Sequence, residues 1–171
     1  MKSNPLPTDP KTFALWREAS DMNRQTRMGG NFYLVAWLVI WVSLPDPLQI
    51  LDYGLVGSGF FALMLVSRLL HLLPTDADPA ALSKWINLHW AMIFLTTGIW
   101  GLINGLVQYQ VIFQNSQLVA IIATVAISSA FSFTFSMRLY PCVTALLMIN
   151  VPGLMALSLG TAQQQPAFIS L

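Results

Sequence analysis

The sequence predicts an all-α fold, a polytopic transmembrane helical bundle, and three observations carry that prediction. Of 171 residues, 56% belong to the set AVILMFWYC and only 9% are charged, at a mean hydropathy of +0.63. A soluble domain is about 25% charged, so these few charges cannot cover the surface of a globule. Uncharged runs recur that are long enough for a hydrocarbon core, which takes about 17–25 helical residues, and the 8 lysines and arginines all fall on one side of the resulting arrangement. The same composition excludes other classes. A net charge of +1 offers no basic field for nucleic acid, the apolar content excludes disorder, and the single Cys142 excludes a disulfide framework or a cysteine-built zinc site.

Residues 1–28 are the polar unit, with Lys2, Lys11, Arg17, Arg24 and Arg27 interleaved with Asp9, Glu18 and Asp21. Asp9-Pro10 is a helix start, an N-cap followed by proline at the first helical position. Phe13, Trp16 and Ser20 share one side of the helix that follows, so a cytosolic juxtamembrane amphipathic helix is expected. Interleaved acids and the absence of a small-residue cleavage site argue against a secretory signal. Residues 29–171 are expected to form the transmembrane bundle. Gly29 to Leu44 is an uncharged first span broken by Pro45-Asp46-Pro47. Leu48 to Leu73 is the second, Ile86 to Val107 the third, Leu118 to Phe135 the fourth and Val143 to Gly160 the fifth, bent at Pro152-Gly153. After Thr161 to Gln165, an apolar stretch from Pro166 to Leu171 reads as the start of a sixth span, so the chain is expected to be the front of a longer protein.

Basic residues are retained on the cytoplasmic side. Five lie in the N-terminal arm, Arg68 and Lys84 between spans two and three, and Arg138 between spans four and five, which places the N-terminus inside. The external connections, around Pro45 to Pro47, Gln108 to Gln117 and Thr161 to Gln165, are too short to hold an extracytoplasmic domain.

Within the spans the chemistry is sparse. Gly54, Gly57, Gly98, Gly101, Gly105, Pro152 and Gly153 are read as helix-packing positions, Gly101 and Gly105 forming a GxxxG that lets backbones approach, within the bundle or between copies. No ionisable residue is expected at the midplane, and Arg68 is expected to snorkel to the inner headgroups. Trp41 and Trp85 read as interface anchors. Trp37, Trp90 and Trp100 lie deeper and, with Thr96, Thr97, Asn104 and Asn150, make up the candidate ligand pocket for a small apolar molecule, apolar with a few polar contacts. His71 and His89 lie at similar depth on adjacent spans, so a metal or haem held between two imidazoles is the alternative to plain interfacial histidines. No metal cluster, phosphate loop, nucleophile elbow or CxxC is present, and no catalytic residue is expected in these residues.

Several local features occur in succession: Asn23-Arg24-Gln25-x-Arg27-Met28, a Trp-rich end to the first span, Ser67-Arg68-Leu69-Leu70, Asp78-Pro79, Lys84-Trp85 and Gly98-Ile99-Trp100-Gly101-Leu102. Over roughly Asn23 to Leu159 this resembles the MASE-type N-terminal sensor regions of bacterial membrane-bound GGDEF diguanylate cyclases and of some hybrid histidine kinases. The resemblance implies a sensory and anchoring module in the bacterial inner membrane. It also implies a final span leading to a cytosolic output domain, a diguanylate cyclase first and a histidine kinase second, through which the protein would form a homodimer. A small transporter or channel subunit and a haem-linked redox subunit are the readings from other classes, the first weakened by the missing midplane charges and the lack of an internal repeat.

Overall fold

A computed structural model of the chain describes residues 9–74, 78–135 and 138–169, the side chains of 27–28 and 160–169 excepted. Helix α1 (Pro10–Val42) opens as expected: the Asp9 carboxylate accepts the Thr12 N–H at 3.0 Å and its hydroxyl at 2.7 Å, and Pro10 occupies the first turn. These bonds favour the ionised form and hold the Asp9 carboxyl below its ordinary pKa. The helix then runs unbroken through residues 28 and 29, where a boundary between polar arm and bundle was expected. A glycine pair costs a helix about 1 kcal/mol per residue, but Gly30 allows α2 to close in, since a Cβ there would stand 3.1 Å from Leu65 Cδ1. Packing on that face keeps the helix continuous.

A 3₁₀ turn (Pro47–Ile50) leads into α2 (Leu51–Leu70), and α3 (Pro79–Tyr109) starts on an Asp78 cap that accepts the Ala80 and Ala81 amides. A second 3₁₀ turn (Val111–Ser116) leads into α4 (Gln117–Phe135), and α5 (Leu139–Ile169) follows. Among the described residues, four segments are long and apolar enough to cross a membrane: Pro47–Leu70, Pro79–Tyr109, Val111–Phe135 and Leu139–Leu159. The expected span Gly29 to Leu44 is not among them; it is the C-terminal half of α1, joined to the polar arm. The expected connection at Thr161 to Gln165 and the expected sixth span from Pro166 also take another form, because α5 continues through them. Alanine and three successive glutamines are good helix formers, and extending a helix already begun needs no new nucleus. Ser170 and Leu171 lie outside the described residues.

The side chains are distributed inside out. Large apolar residues such as Phe32, Leu63, Leu102, Leu118, Phe133 and Leu154 face outward, whereas Arg68, His89, Thr96, Thr97, Asn104, Gln108 and Ser116 are buried. In hydrocarbon the polar groups must satisfy one another internally while apolar groups lose nothing by exposure, so this pattern belongs to a bundle embedded in lipid. The core has two clusters. One gathers Met22, Leu82, Trp85, Trp90, Phe135 and Cys142; the other gathers Tyr33, Trp37, Ile40, Phe61, Trp100 and Ile149. On α3 the division falls between Ile93 and Trp100, where Thr96 and Thr97 are placed.

The most extensive helix contact is α3 with α5. Pro152 has no N–H to give the Met148 carbonyl, and that carbonyl lies against Gly101, so close that a Cβ on Gly101 would collide with it. One turn on, a Cβ at Gly105 would stand 3.0 Å from the Pro152 carbonyl oxygen. Gly54 and Gly57 serve a different purpose from backbone contact: the Trp41 and Trp37 indoles lie on them, donating to Pro47 O (3.0 Å) and Gly54 O (3.1 Å). Gly153 leaves room for the Asn104 side chain. Gly98 corrects the expected packing strip, because it is only partly buried and a Cβ there meets nothing within 4 Å.

Candidate functional site

Arg68 sits in the last turn of α2 and does not snorkel. It is 4% exposed. Side chains on a helix lean toward its N-terminus, which for α2 is the end away from Leu70, so the guanidinium reaches back into the bundle. Its Nη2 donates to Thr96 Oγ1 at 2.7 Å and to the Met92 carbonyl at 3.4 Å. Thr96 lies near the middle of α3, which places the positive head far deeper than the Arg68 backbone position implied. Gly30 makes room on the α1 side, where a Cβ would stand 3.7 Å from Arg68 Nη1. Among the described residues the ion pairs are Arg17 with Asp21 and Arg138 with Glu18, so Arg68 has no counter-ion, and its Nε has no hydrogen-bond partner. An arginine at a helix centre in a bilayer costs about 2.5–3.5 kcal/mol even on the mildest scale, and buried charges without a partner are retained where they have a task.

About two turns below Thr96, His89 is 1% exposed. The Thr26 hydroxyl gives its only hydrogen to the Met22 carbonyl at 2.7 Å, so it accepts from His89 Nε2 at 2.6 Å, which fixes the Nε2–H tautomer. His89 Nδ1 is left without a partner. Trp85 stacks on His89 (centroids 4.6 Å) and on His71 (5.0 Å), and its Nε1 donates to the Leu72 carbonyl at 3.0 Å. Trp85 is therefore a buried clamp on the end of α2 and not the interface anchor expected of it.

Arg68 borders a cleft of about 340 Å³ between α1 and α4, the lower end of the range for small-molecule sites, about 300–1,000 Å³. Gln25, Thr26 and Thr134 line its polar end, Tyr33 and Arg68 its middle, and Ala36 and Ala123 its far end. Tyr33 is held by Trp100 edge-on (5.7 Å) and by Phe61 (6.1 Å). A second cleft of about 700 Å³ shares Gln25, Thr134 and Phe135 with the first and is flanked by Lys11, Arg17 and Arg138.

None of the seven residues expected to form the pocket lines either cleft. Trp37 covers Gly57 and donates to Gly54. Trp90 packs on Phe94 and Phe135, its Nε1 without a partner. Thr97 returns its hydroxyl to the Phe94 carbonyl (3.1 Å), Trp100 donates to Thr124 Oγ1 (3.1 Å), Asn104 accepts from Gln108 (3.4 Å) and Asn150 donates to Ser128 Oγ (3.0 Å). They are distributed over α1, α3 and α5 as packing and as hydrogen bonds within and between helices. Only Thr96 belongs to the site, through Arg68. The residues that reasoning from sequence missed are Arg68, Tyr33, Thr26 and Gln25, and a signal for the first was present: an arginine in the last turn of a helix points its head back along that helix.

His71 and His89 come together, with ring centroids 5.7 Å apart, but as stacked faces inclined by 23°. Axial ligands to a haem or metal converge end-on through ring nitrogens. Here His89 Nε2 is taken by Thr26, His71 Nε2 faces the Trp85 carbonyl at 3.4 Å, and Trp85 stacks on both rings, so the metal alternative does not fit. Among the described residues no group of three or more metal-ligating side chains occurs. No family model, no curated protein and no solved structure matches the chain.

Proposed function

We propose that the chain is the sensory and anchoring module of a signalling protein in the bacterial inner membrane. In this reading the C-terminal half of α1 is a first span, the four apolar helices complete five, and the N-terminus is cytoplasmic. The signal passes to a cytosolic output domain, a diguanylate cyclase before a histidine kinase. The observation that carries the reading is the buried, counter-ion-free Arg68 at a cleft open toward lipid. Short connections leave no room for an external sensor, so a signal must be read inside the membrane, and among the described residues Arg68 is the buried charge without a counter-ion. Arg68 is bonded to Thr96 on α3, and α3 meets α5 through backbone contacts at Gly101 and Gly105, a smooth surface over which helices slide. A stimulus that binds one packing better than the other shifts the population between them. The test is to extend the reading frame past Leu171, express the full-length product and assay it with Arg68→Gln. A cyclase or kinase whose output changes at equal membrane insertion supports the reading, and an output indifferent to the substitution removes it.

A second reading, a small transporter or channel subunit, gains from the same residue, because the depth of Arg68 supplies the intramembrane charge that the sequence appeared to lack. Ion or substrate flux in proteoliposomes, abolished by Arg68→Gln, would put it first.

A further inference from the structure

We propose that the cleft between α1 and α4 binds an anionic amphiphile, a carboxylate or phosphate on an apolar chain, with its charged oxygens on the Arg68 guanidinium. The ligand deepens the sensory reading and takes its site from it. Four features of the cleft specify this chemistry. Arg68 makes both of its hydrogen bonds from Nη2 and its Nε is buried, which leaves Nη1, beside the space at Gly30, to an oxyanion, the group that guanidinium binds best. No lining residue is acidic, so nothing in the cleft competes for that charge. Away from the polar end at Gln25, Thr26 and Thr134 the wall is mostly apolar: Phe32, Val35, Ile93, Ile127 and Phe131 accept a hydrocarbon chain and would not hold a hydrated ion. Finally, the cleft is long. From Gln25 to Ala36 on α1, and from Ala123 to Thr134 on α4, it follows about 16 Å of helix at 1.5 Å per residue, and Ala123, Ala126 and Ala130 keep the α4 side open.

The route of entry fits the same ligand. At Gln25, Thr134 and Phe135 the cleft shares its lining with the second one, where Arg17 and Arg138 are ion-paired with Asp21 and Glu18 and Lys11 stands outside both pairs. The headgroup enters at that end beside Lys11, and the tail inserts between α1 and α4. The ligand replaces the counter-ion that Arg68 lacks and wedges α1 from α4, while the Arg68–Thr96 bond carries the change to α3.

The experiment uses the full chain in phosphatidylcholine nanodiscs, which contain no competing anionic lipid. A diazirine-bearing palmitate is photolysed and its adducts are mapped by mass spectrometry. Saturable adducts on Phe32 to Ala36 and Ala123 to Ala130 are expected, displaced by oleate or phosphatidylglycerol and not by oleyl alcohol or inorganic phosphate. Displacement by phosphatidylglycerol at the lower concentration names a membrane phospholipid as the source; the reverse order names a free fatty acid. Arg68→Gln should weaken labelling about tenfold or more, the usual effect of losing a charged hydrogen bond, and Arg68→Lys less. Ala126→Phe, which fills the cleft and leaves Arg68 in place, should block labelling, and it decides the matter if Arg68→Gln does not fold. Labelling that does not saturate, that survives Ala126→Phe in a folded protein, or that oleyl alcohol displaces as well as oleate does would overturn the proposal. Because the experiment reads occupancy and not output, its failure is separate from a silent output domain.

Discussion

Gly101→Ala tests the packing on which the bundle depends. The added Cβ falls on the Met148 carbonyl oxygen, with the Met148 carbonyl carbon at 3.0 Å and Pro152 Cγ at 3.3 Å. None of these atoms is the free end of a flexible side chain, so the collision is relieved only by moving α5 away from α3. Overpacking a core costs about 1–3 kcal/mol. The upper part of that range applies here, because separation also loosens the Gly105 contact with Pro152, the next turn of the same interface. A loss of about 2–3 kcal/mol lowers the folded-to-unfolded ratio by roughly 30- to 150-fold, at 1.36 kcal/mol per decade. Gly98→Ala is the internal control, the same change on the same helix into open space, expected to be neutral or stabilising by up to about 1 kcal/mol through helix propensity. Equilibrium unfolding in mixed micelles, followed by tryptophan fluorescence, measures both. Equal stabilities for the two variants within about 0.5 kcal/mol, the usual span of a substitution away from any specific contact, would refute the close α3–α5 approach.

Three further outcomes follow from individual contacts. Trp37→Phe removes the bond to the Gly54 carbonyl and part of the ring that covers Gly57; a loss of about 1–3 kcal/mol is expected in the same unfolding assay, with Gly59→Ala, in open space, unchanged. Arg138→Gln breaks the ion pair with Glu18 that ties α1 to the start of α5. Because Arg138 is half exposed, less than about 1 kcal/mol is expected, and that difference should shrink as salt is raised. Asp9 caps α1 as a carboxylate with a lowered pKa. Its contribution is complete above the unfolded value, about 3.9, and is lost as pH falls through the lower folded value. Amide exchange in the first turn of α1 should therefore accelerate below that point, and an Asp9→Ala variant should show the fast exchange already at pH 7.

The proposed sensory reading rests on the position of Arg68, an uncompensated charge in the folded bundle. It names a residue, a neighbour and a cleft, and it makes the transporter reading testable with the same substitution.

Much of the fold was legible in the residues themselves. Asp9-Pro10 and Asp78-Pro79 start helices because an aspartate cap and a proline in the first turn satisfy local requirements that hold wherever the chain goes. The helix α4 was placed within a residue, since hydropathy is a property of the segment alone. Glycines 101 and 105 were read as a place of close approach, and they are one. Continuity was not legible: whether Gly29-Gly30 ends a helix depends on what packs against it, and α2 packs there. Gly98 looked equivalent to Gly101 in sequence, but it is only partly buried and no neighbouring helix meets its face. The candidate pocket failed for a related reason, because tryptophans and amides that fit a binding site fit interhelical packing equally well, and only the partners Gly54, Thr124, Ser128 and Gln108 distinguish the two. The depth of Arg68 is the clearest case. Its backbone position lies near a helix end, but its charge lies where the side chain leads, and that is decided by the direction of α2, the gap at Gly30 and the hydroxyl of Thr96. The direction of α2 is local to Arg68, but the gap at Gly30 and the hydroxyl of Thr96 come from two other helices and are not.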